Sequence, residues 1–284
     1  MNRKFLYIML VCLAAIAASC SSKTEKAKTG REALTIALTP TIDCLPFYVA
    51  QKTGIDTSFG YALNLQTYSS RSDCDTALIH GMAHAIMTDS IRANDIRNRL
   101  VTLASAADTI PLTAADSLQF SYHDNIKIFF FTNSKSRLKR PSQLADKMIA
   151  IDRGSVEMLI AQQLLDSLKI SDKAFLVQMQ NLRTRNEMLS AGSMDAVALT
   201  EPQAAVARSQ RHNLIYTADA YRGKSLGCLL SASRHAAIRD IYNAAVDSIN
   251  KHGIHRYDTI IASCMDIPVQ CLPLMSKQKL YKLK

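Results

Sequence analysis

The chain has 284 residues, 48% of them hydrophobic and 20% charged, with a formal net charge of +10. That balance describes a globular protein, not a disordered one, and the length allows one large domain or two lobes with separate cores. The basic excess is dispersed except at SKSRLKR, 134–140, which reads as a solvated loop, so nucleic acid is not an expected partner.

Arg3 and Lys4 precede an unbroken apolar run from Phe5 to Ala18, short for a bilayer span and of signal-peptide length. The run closes on Ala17-Ala18-Ser19-Cys20, which resembles the lipobox of bacterial lipoproteins, in which the cysteine is lipidated. The polar SSKTEKAKTGR that follows has a tether's composition. These residues predict a signal peptide at 1–19, lipidation at Cys20, a tether at 20–31 and a lipid-anchored protein on the periplasmic side of a bacterial membrane. Five cysteines remain beyond this region, Cys44, Cys74, Cys228, Cys264 and Cys271, none in C-x-x-C spacing; most read as small buried apolar residues.

Leu34 to Leu38 reads as a strand, Thr39 to Asp43 as a polar turn, and the next residues as a helix with Pro46 in its first turn and Gly54 at its end. Asn64 to Tyr68 follows as a strand, Asp73 to His80 as a helix and Ala83 to Met87 as a strand. Thr88-Asp89-Ser90 is an N-cap signal for a helix over Ile91 to Asn98, with Leu100 to Ala104 as a fourth strand. Later, Met148 to Asp152 predicts a strand whose turn, Arg153-Gly154-Ser155, opens a helix over Val156 to Leu168. Ala174 to Gln178 is the next strand, Thr184 to Ala191 a helix and Asp195 to Leu199 a strand. IHGMAHAIMTD at 79–89 and LSAGSMDAVALTE at 189–201 echo one another: helix end, Gly, small and apolar strand, Thr, carboxylate. Two related α/β units in one chain predict two lobes. Apolar segments at 126–133 and 226–233 read as paired crossings, and helices at Ala236 to Lys251 and Asp258 to Met265 return to the first lobe. The expected division is 32–112 plus 224–284 for lobe one and 113–223 for lobe two.

The segments TPTIDCLPFYVAQKTG, LADKMIAIDRGS and LSAGSMDAVALTEPQAAVA resemble those of bacterial solute-binding proteins of ABC importers, in the group that handles nitrate, sulfonates and thiamine-type pyrimidines. The resemblance covers most of 33–275; the absence of tryptophan and the region 105–135 depart from it. It implies a two-lobed periplasmic-binding-protein-like clamshell, each lobe a mainly parallel sheet flanked by helices, joined by two crossing segments. It also implies an ABC permease as partner, a small-molecule ligand between the lobes, and a monomer. Transferred to matching positions, it puts Thr39, Thr41, Asp43, Thr88 and Asp89 of one lobe, and Gly154, Ser155, Thr200 and Glu201 of the other, around the ligand. Each lies at a strand's carboxyl end or a helix start, where open α/β sheets bind ligands. Asp43, Asp89 and Glu201 together favour an amine-bearing or heterocyclic ligand, while Arg71 and Arg153 would suit an anion.

His80 and His84 have i,i+4 spacing, but Gly81 interrupts the helix between them and no H-E-x-x-H occurs, so no metal is expected. No G-x-S-x-G, Walker A or G-x-G-x-x-G motif is present, and no cofactor is expected. The expectation is a binding protein and not an enzyme. The alternatives are an enzyme of the same fold, of the menaquinone- or pyrimidine-biosynthesis type, and an orphan binding lipoprotein serving a sensor or outer-membrane complex.

Overall fold

The computed structural model describes residues 30–106, 118–123, 126–218, 227–277 and 279–284. The expected signal peptide, Cys20 and nearly all of the tether lie outside the described residues.

Ten strands form two five-stranded sheets of matching design. The first contains β1 (Glu32–Leu38), β2 (Tyr61–Thr67), β3 (Ala85–Thr88), β4 (Gln119–His123) and β10 (Gly227–Ser231), in the order β2-β1-β3-β10-β4. The second contains β5 (Ile128–Thr132), β6 (Met148–Ile151), β7 (Phe175–Gln178), β8 (Ala196–Leu199) and β9 (Asn213–Ala218), in the order β7-β6-β8-β5-β9. In each, three adjacent strands are parallel, the fourth in order (β10 or β5) runs against them, and the edge strand (β4 or β9) pairs antiparallel with it and so runs with the first three. The repeated segments of the sequence supply β3 and β8, which hold the same central place in their sheets.

Helices enter where side-chain chemistry permits. Pro46 lies in the first turn of α1 (Leu45–Thr53), and Gly54, at φ 77°, ends it in a conformation that a Cβ would strain. The short α2 (Ile55–Ser58) follows. Ser70 caps α3 (Arg71–Ile79), Ser155 caps α5 (Val156–Ser167) and Asn181 caps α6 (Leu182–Ser190), each side chain accepting an N–H three residues on. Helix α4 (Ser90–Ala106) runs through Leu100 to Ala104, where a strand was expected. Ala93, Ile96 and Leu100 follow helical spacing into the core beside Ile86 and Leu230, and that periodicity overrides the local apolar run. Sequence patterning also leaves unassigned α7 (Gln203–Ser209) and β9.

Helix α8 (His235–His252) buries Ile238, Ile241, Tyr242, Ala245, Val246 and Ile249 along one stripe against α1 and the first sheet. Helix α9 (Asp258–Met265) and the closing segment with Leu272, Leu280 and Leu283 complete the same core. Strand β4, which the expected boundary assigns to lobe two, belongs to the first sheet: it pairs with β10 and exchanges backbone hydrogen bonds with Lys284. In the second sheet, successive residues of β5 alternate between two cores, Ile128 and Phe130 facing α5, Phe129 and Phe131 facing α6 and α7. The chain passes between sheets from β4 to β5 and returns from β9 to β10. The carboxyl ends of the parallel strands of both sheets therefore carry the loops that meet between the lobes.

Candidate functional site

Those loops enclose a cavity of about 260 Å³. Thr39 and Thr41 reach it from the end of β1, Tyr68 and Arg71 from the end of β2, Asp152 from β6, Gln180 from β7 and Thr200 from β8; Glu157 and Arg185 line it from α5 and α6. Every contributing strand end is a parallel one, in keeping with ligand placement in open α/β sheets.

Arg185 is fully buried. Its Nε donates to the Met179 carbonyl at 2.6 Å, and its Nη1 to Glu157 at 2.7 Å and to the Ala198 carbonyl at 2.5 Å, while Nη2 has no protein partner. Thr200 Oγ1 and Asp152 Oδ2 are likewise buried without a protein partner. Arg92, on α4, joins the lobes by pairing with Asp75 of the first and, at 3.5 Å, Asp152 of the second. Arg71 pairs with Asp89 at 3.2 Å. Burial works against its charge, yet Asp89, Asp43, Asp152 and Glu157 together hold the guanidinium above its usual range. Burial pushes the carboxyls of Asp75, Asp89 and Glu157 upward, and Arg92, Arg71 and Arg185 respectively pull each back. Among the side chains that line the cavity, Asp152, Glu157 and Asp266 are matched in number by Arg71, Arg183 and Arg185; Asp75, Asp89 and Arg92 are not in its lining. The Arg183–Asp266 pair adds no net charge.

Of the residues expected to hold ligand, Thr39, Thr41 and Thr200 line the cavity. Asp43, Thr88, Asp89, Gly154, Ser155 and Glu201 do not. Asp43 is buried behind the β1 loop, where its carbonyl accepts from Tyr242 at 3.0 Å. Thr88 is buried at the end of β3. Asp89 is turned onto backbone N–H groups and Arg71. Gly154 provides a positive-φ turn, and Ser155 caps α5 while its Oγ donates to the Asp152 carbonyl at 2.5 Å. Glu201 has no exposure: it accepts from Arg208 at 2.6 Å, from the Ala205 N–H at 3.1 Å, and from Ser276 N and Oγ at 3.0 and 2.9 Å. The expected trio of carboxylates is thus replaced at the cavity wall by Asp152 and Glu157. Tyr68, Gln180 and Asp152 follow from the strand-end rule once it is applied to β2, β6 and β7; Arg185, inside the polar stretch NLRTRNEM, carries no such signal.

Further contacts seal the seam. Gln180 Oε1 accepts from Ser72 N–H at 3.1 Å and its Nε2 donates to Ser72 Oγ at 2.8 Å, and the Ile42 N–H donates to the Glu201 carbonyl at 3.0 Å. Cys44, Cys74, Cys228 and Cys271 are buried, Cys264 is partly so, and none is in a disulfide. Among the described residues no cluster of His, Cys, Asp or Glu has a metal-binding arrangement, and no helix is long and apolar enough to cross a membrane.

No protein-family model and no curated protein matches the sequence. Solved structures do. The chain is similar to the alkanesulfonate-binding protein SsuA from Xanthomonas axonopodis pv. citri, bound to MOPS, with a TM-score of 0.65 and 16% identity over 89% of this chain and 86% of that one. It is similar to the periplasmic nitrate-binding protein NrtA from Synechocystis PCC 6803, with a TM-score of 0.63 and 11% identity over 85% of this chain and 69% of that one. The desulfurization enzyme DSZB also aligns, with a TM-score of 0.53 and 12% identity over 86% and 83% of the two chains. Two sheets of matching order, the cavity at their parallel strand ends and these alignments show that the chain has the periplasmic-binding-protein fold.

Proposed function

We propose that this protein captures a small polar solute between its lobes and releases it unchanged, as a lipid-anchored component on the periplasmic side that delivers to an ABC permease. The observation that carries this reading is the cavity itself, with buried polar groups from both lobes and three side chains, Arg185, Thr200 and Asp152, each keeping a hydrogen-bonding atom without a protein partner. Such atoms are costly unless a ligand or water meets them. The unpartnered Asp152 oxygen supports an amine-bearing or heterocyclic ligand, which would donate to it.

Thermal-shift screening of amines, pyrimidines, sulfonates and oxyanions tests the reading, because a ligand confined to the folded state raises Tm. The hit should bind about ten- to a hundredfold more weakly to Asp152→Asn or Thr200→Val, the loss of one buried hydrogen bond, and should be recovered unaltered after incubation. Chemical conversion of the hit by purified protein would overturn the transport reading. The lipid address rests on Cys20: the Cys20→Ala protein should leave the membrane fraction of its native host, and equal partition of both forms would refute the anchor.

A further inference from the structure

Two charged residues of the cavity wall are fixed by one carboxylate oxygen. Glu157 Oε1 accepts from Arg185 Nη1 and from the Asp152 N–H, both at 2.7 Å, which sets the guanidinium beside the residue that carries the Asp152 carboxylate. Arg185 Nη1 also donates to the Ala198 carbonyl, two residues before Thr200, so Thr200 belongs to the same corner of the cavity. Asp152 Oδ1 is taken by Arg92 at 3.5 Å and by Gln178 Nε2, which donates to it at 3.2 Å. What remains without a partner among the described residues is one donor, Arg185 Nη2, one acceptor, Asp152 Oδ2, and the Thr200 hydroxyl, which can act either way. All three side chains line the cavity, and all three residues are more than nine-tenths buried. The formal charges of the lining cancel, so the cavity asks for a donor and an acceptor in the right places and not for a net charge.

We infer that the solute is a two-point molecule, net neutral, that brings an oxygen acceptor to Arg185 and an N–H donor to Asp152, with Thr200 completing either contact. An amino-acid-type zwitterion offers that pair with charge, and an amide offers it without. The inference rests on the solute-capture reading and names the solute class of that site. An anion without an N–H meets Arg185 and leaves the Asp152 oxygen open, and an amine without an oxygen does the reverse; each forfeits one buried hydrogen bond to a charged group.

The probes are L-alanine and β-alanine as zwitterions, propionamide and 2-pyrrolidone as amides, and propionate and propylammonium as one-point controls. Each is compared with sodium chloride at equal ionic strength by thermal shift and calorimetry. At least one zwitterion or amide should bind wild type at least tenfold more tightly than either control, the equivalent of one such hydrogen bond. Both sources uphold the inference and the panel separates them: binding by zwitterions alone means that the two points need charge, and binding by amides as well that hydrogen bonds suffice. Asp152→Asn keeps an oxygen for Arg92 and Gln178 and presents N–H groups in place of the open carboxylate oxygen, so it should bind the two-point compounds at least tenfold more weakly than wild type. A control that binds wild type as tightly as the two-point compounds overturns the inference whether or not the variant folds, and leaves solute capture standing. Undiminished affinity in a folded Asp152→Asn protein overturns it too. If none of the six binds, the hit of the wider thermal-shift screen decides: a hit lacking either group overturns the inference alone, a hit carrying both upholds it, and no hit of any class ends the capture reading along with it.

Discussion

Arg185 and Glu157 form a buried pair, and its stability depends on both members being present. Removing one leaves the other charge buried and unpaired, at a cost of about 3–5 kcal/mol. Arg185→Ala should therefore lower the urea midpoint sharply, and refolding of the second sheet's signals in NMR would report where the loss falls. Glu201 is expected to behave differently from a ligand residue. Its four accepted hydrogen bonds tie β8's exit loop to α7 and the C-terminal segment, so Glu201→Gln should cost about 1.5–3 kcal/mol of stability and leave solute affinity unchanged. His235 sets a pH dependence. It lies between Ser121 Oγ at 2.8 Å and Ser231 Oγ at 2.6 Å, and burial, reinforced by Arg239, lowers its pKa. The unfolded chain then binds the proton more readily, so stability is full above the ordinary histidine value of about 6.5 and falls as pH drops below it. The upward-shifted Asp75, Asp89 and Glu157 act in the opposite direction, but equally in wild type and in His235→Gln. The difference between these two proteins in urea midpoint, pH 7.5 to 5, isolates the histidine: wild type should lose more.

At the scale of elements, β10 shows how one residue permits a packing arrangement. Gly227 pairs with His123 of β4, and a Cβ on Gly227 would meet the imidazole ring at 2.3 Å. That ring stacks on Tyr242 of α8, at 6.1 Å between centroids, and Tyr242 in turn packs edge-on to Phe47 of α1. Gly227→Ala should force this column apart and destabilise by roughly 1–3 kcal/mol, the usual range for overpacking; an unchanged thermal midpoint would show that the ring moves freely. Helix α4 teaches the complementary lesson. LVTLA has strand-like local composition, but three residues at helical spacing already commit the segment to a core that a strand could not reach.

For the molecule as a whole, Ala205 of α7 packs into the first lobe's core, and polar contacts also join the lobes: Ser72 with Gln180, Arg92 with Asp152, Arg183 with Asp266, and the Val156 N–H with Asp89. The exposed pairs among these, Ser72 with Gln180 and Arg183 with Asp266, contribute roughly 0–1 kcal/mol each, so a ligand that bridges the lobes can add to closure. Replacing Gln180 and Arg183 together by Ala should increase the radius of gyration measured by X-ray scattering, and ligand should bring it back. Equal scattering profiles for wild type and variant would show that the buried Arg92 and Asp89 contacts suffice.

The α/β alternation, the repeated unit, most helix caps and the strand-end loops were legible because they depend on short-range rules: apolar periodicity, N-cap chemistry and glycine at positive φ. Thr39, Thr41 and Thr200, placed by the family resemblance and in keeping with the same rules, line the cavity, since a loop at a parallel strand's end faces the cleft whatever its partners. The direction of the carboxylates was not legible. Asp89 and Glu201 occupy the expected loops, but Arg71 and the N-termini of α4 and α5 take up the first, while Arg208 and Ser276 take up the second. Arg185 looks like a solvated helix residue in sequence, and only packing between α5, α6 and β8 buries it beside Glu157. Sequence alone determined where polar groups would gather, because that follows from local backbone geometry. Tertiary structure decided which of them remain available to a ligand, because charge pairing depends on residues brought together from both lobes.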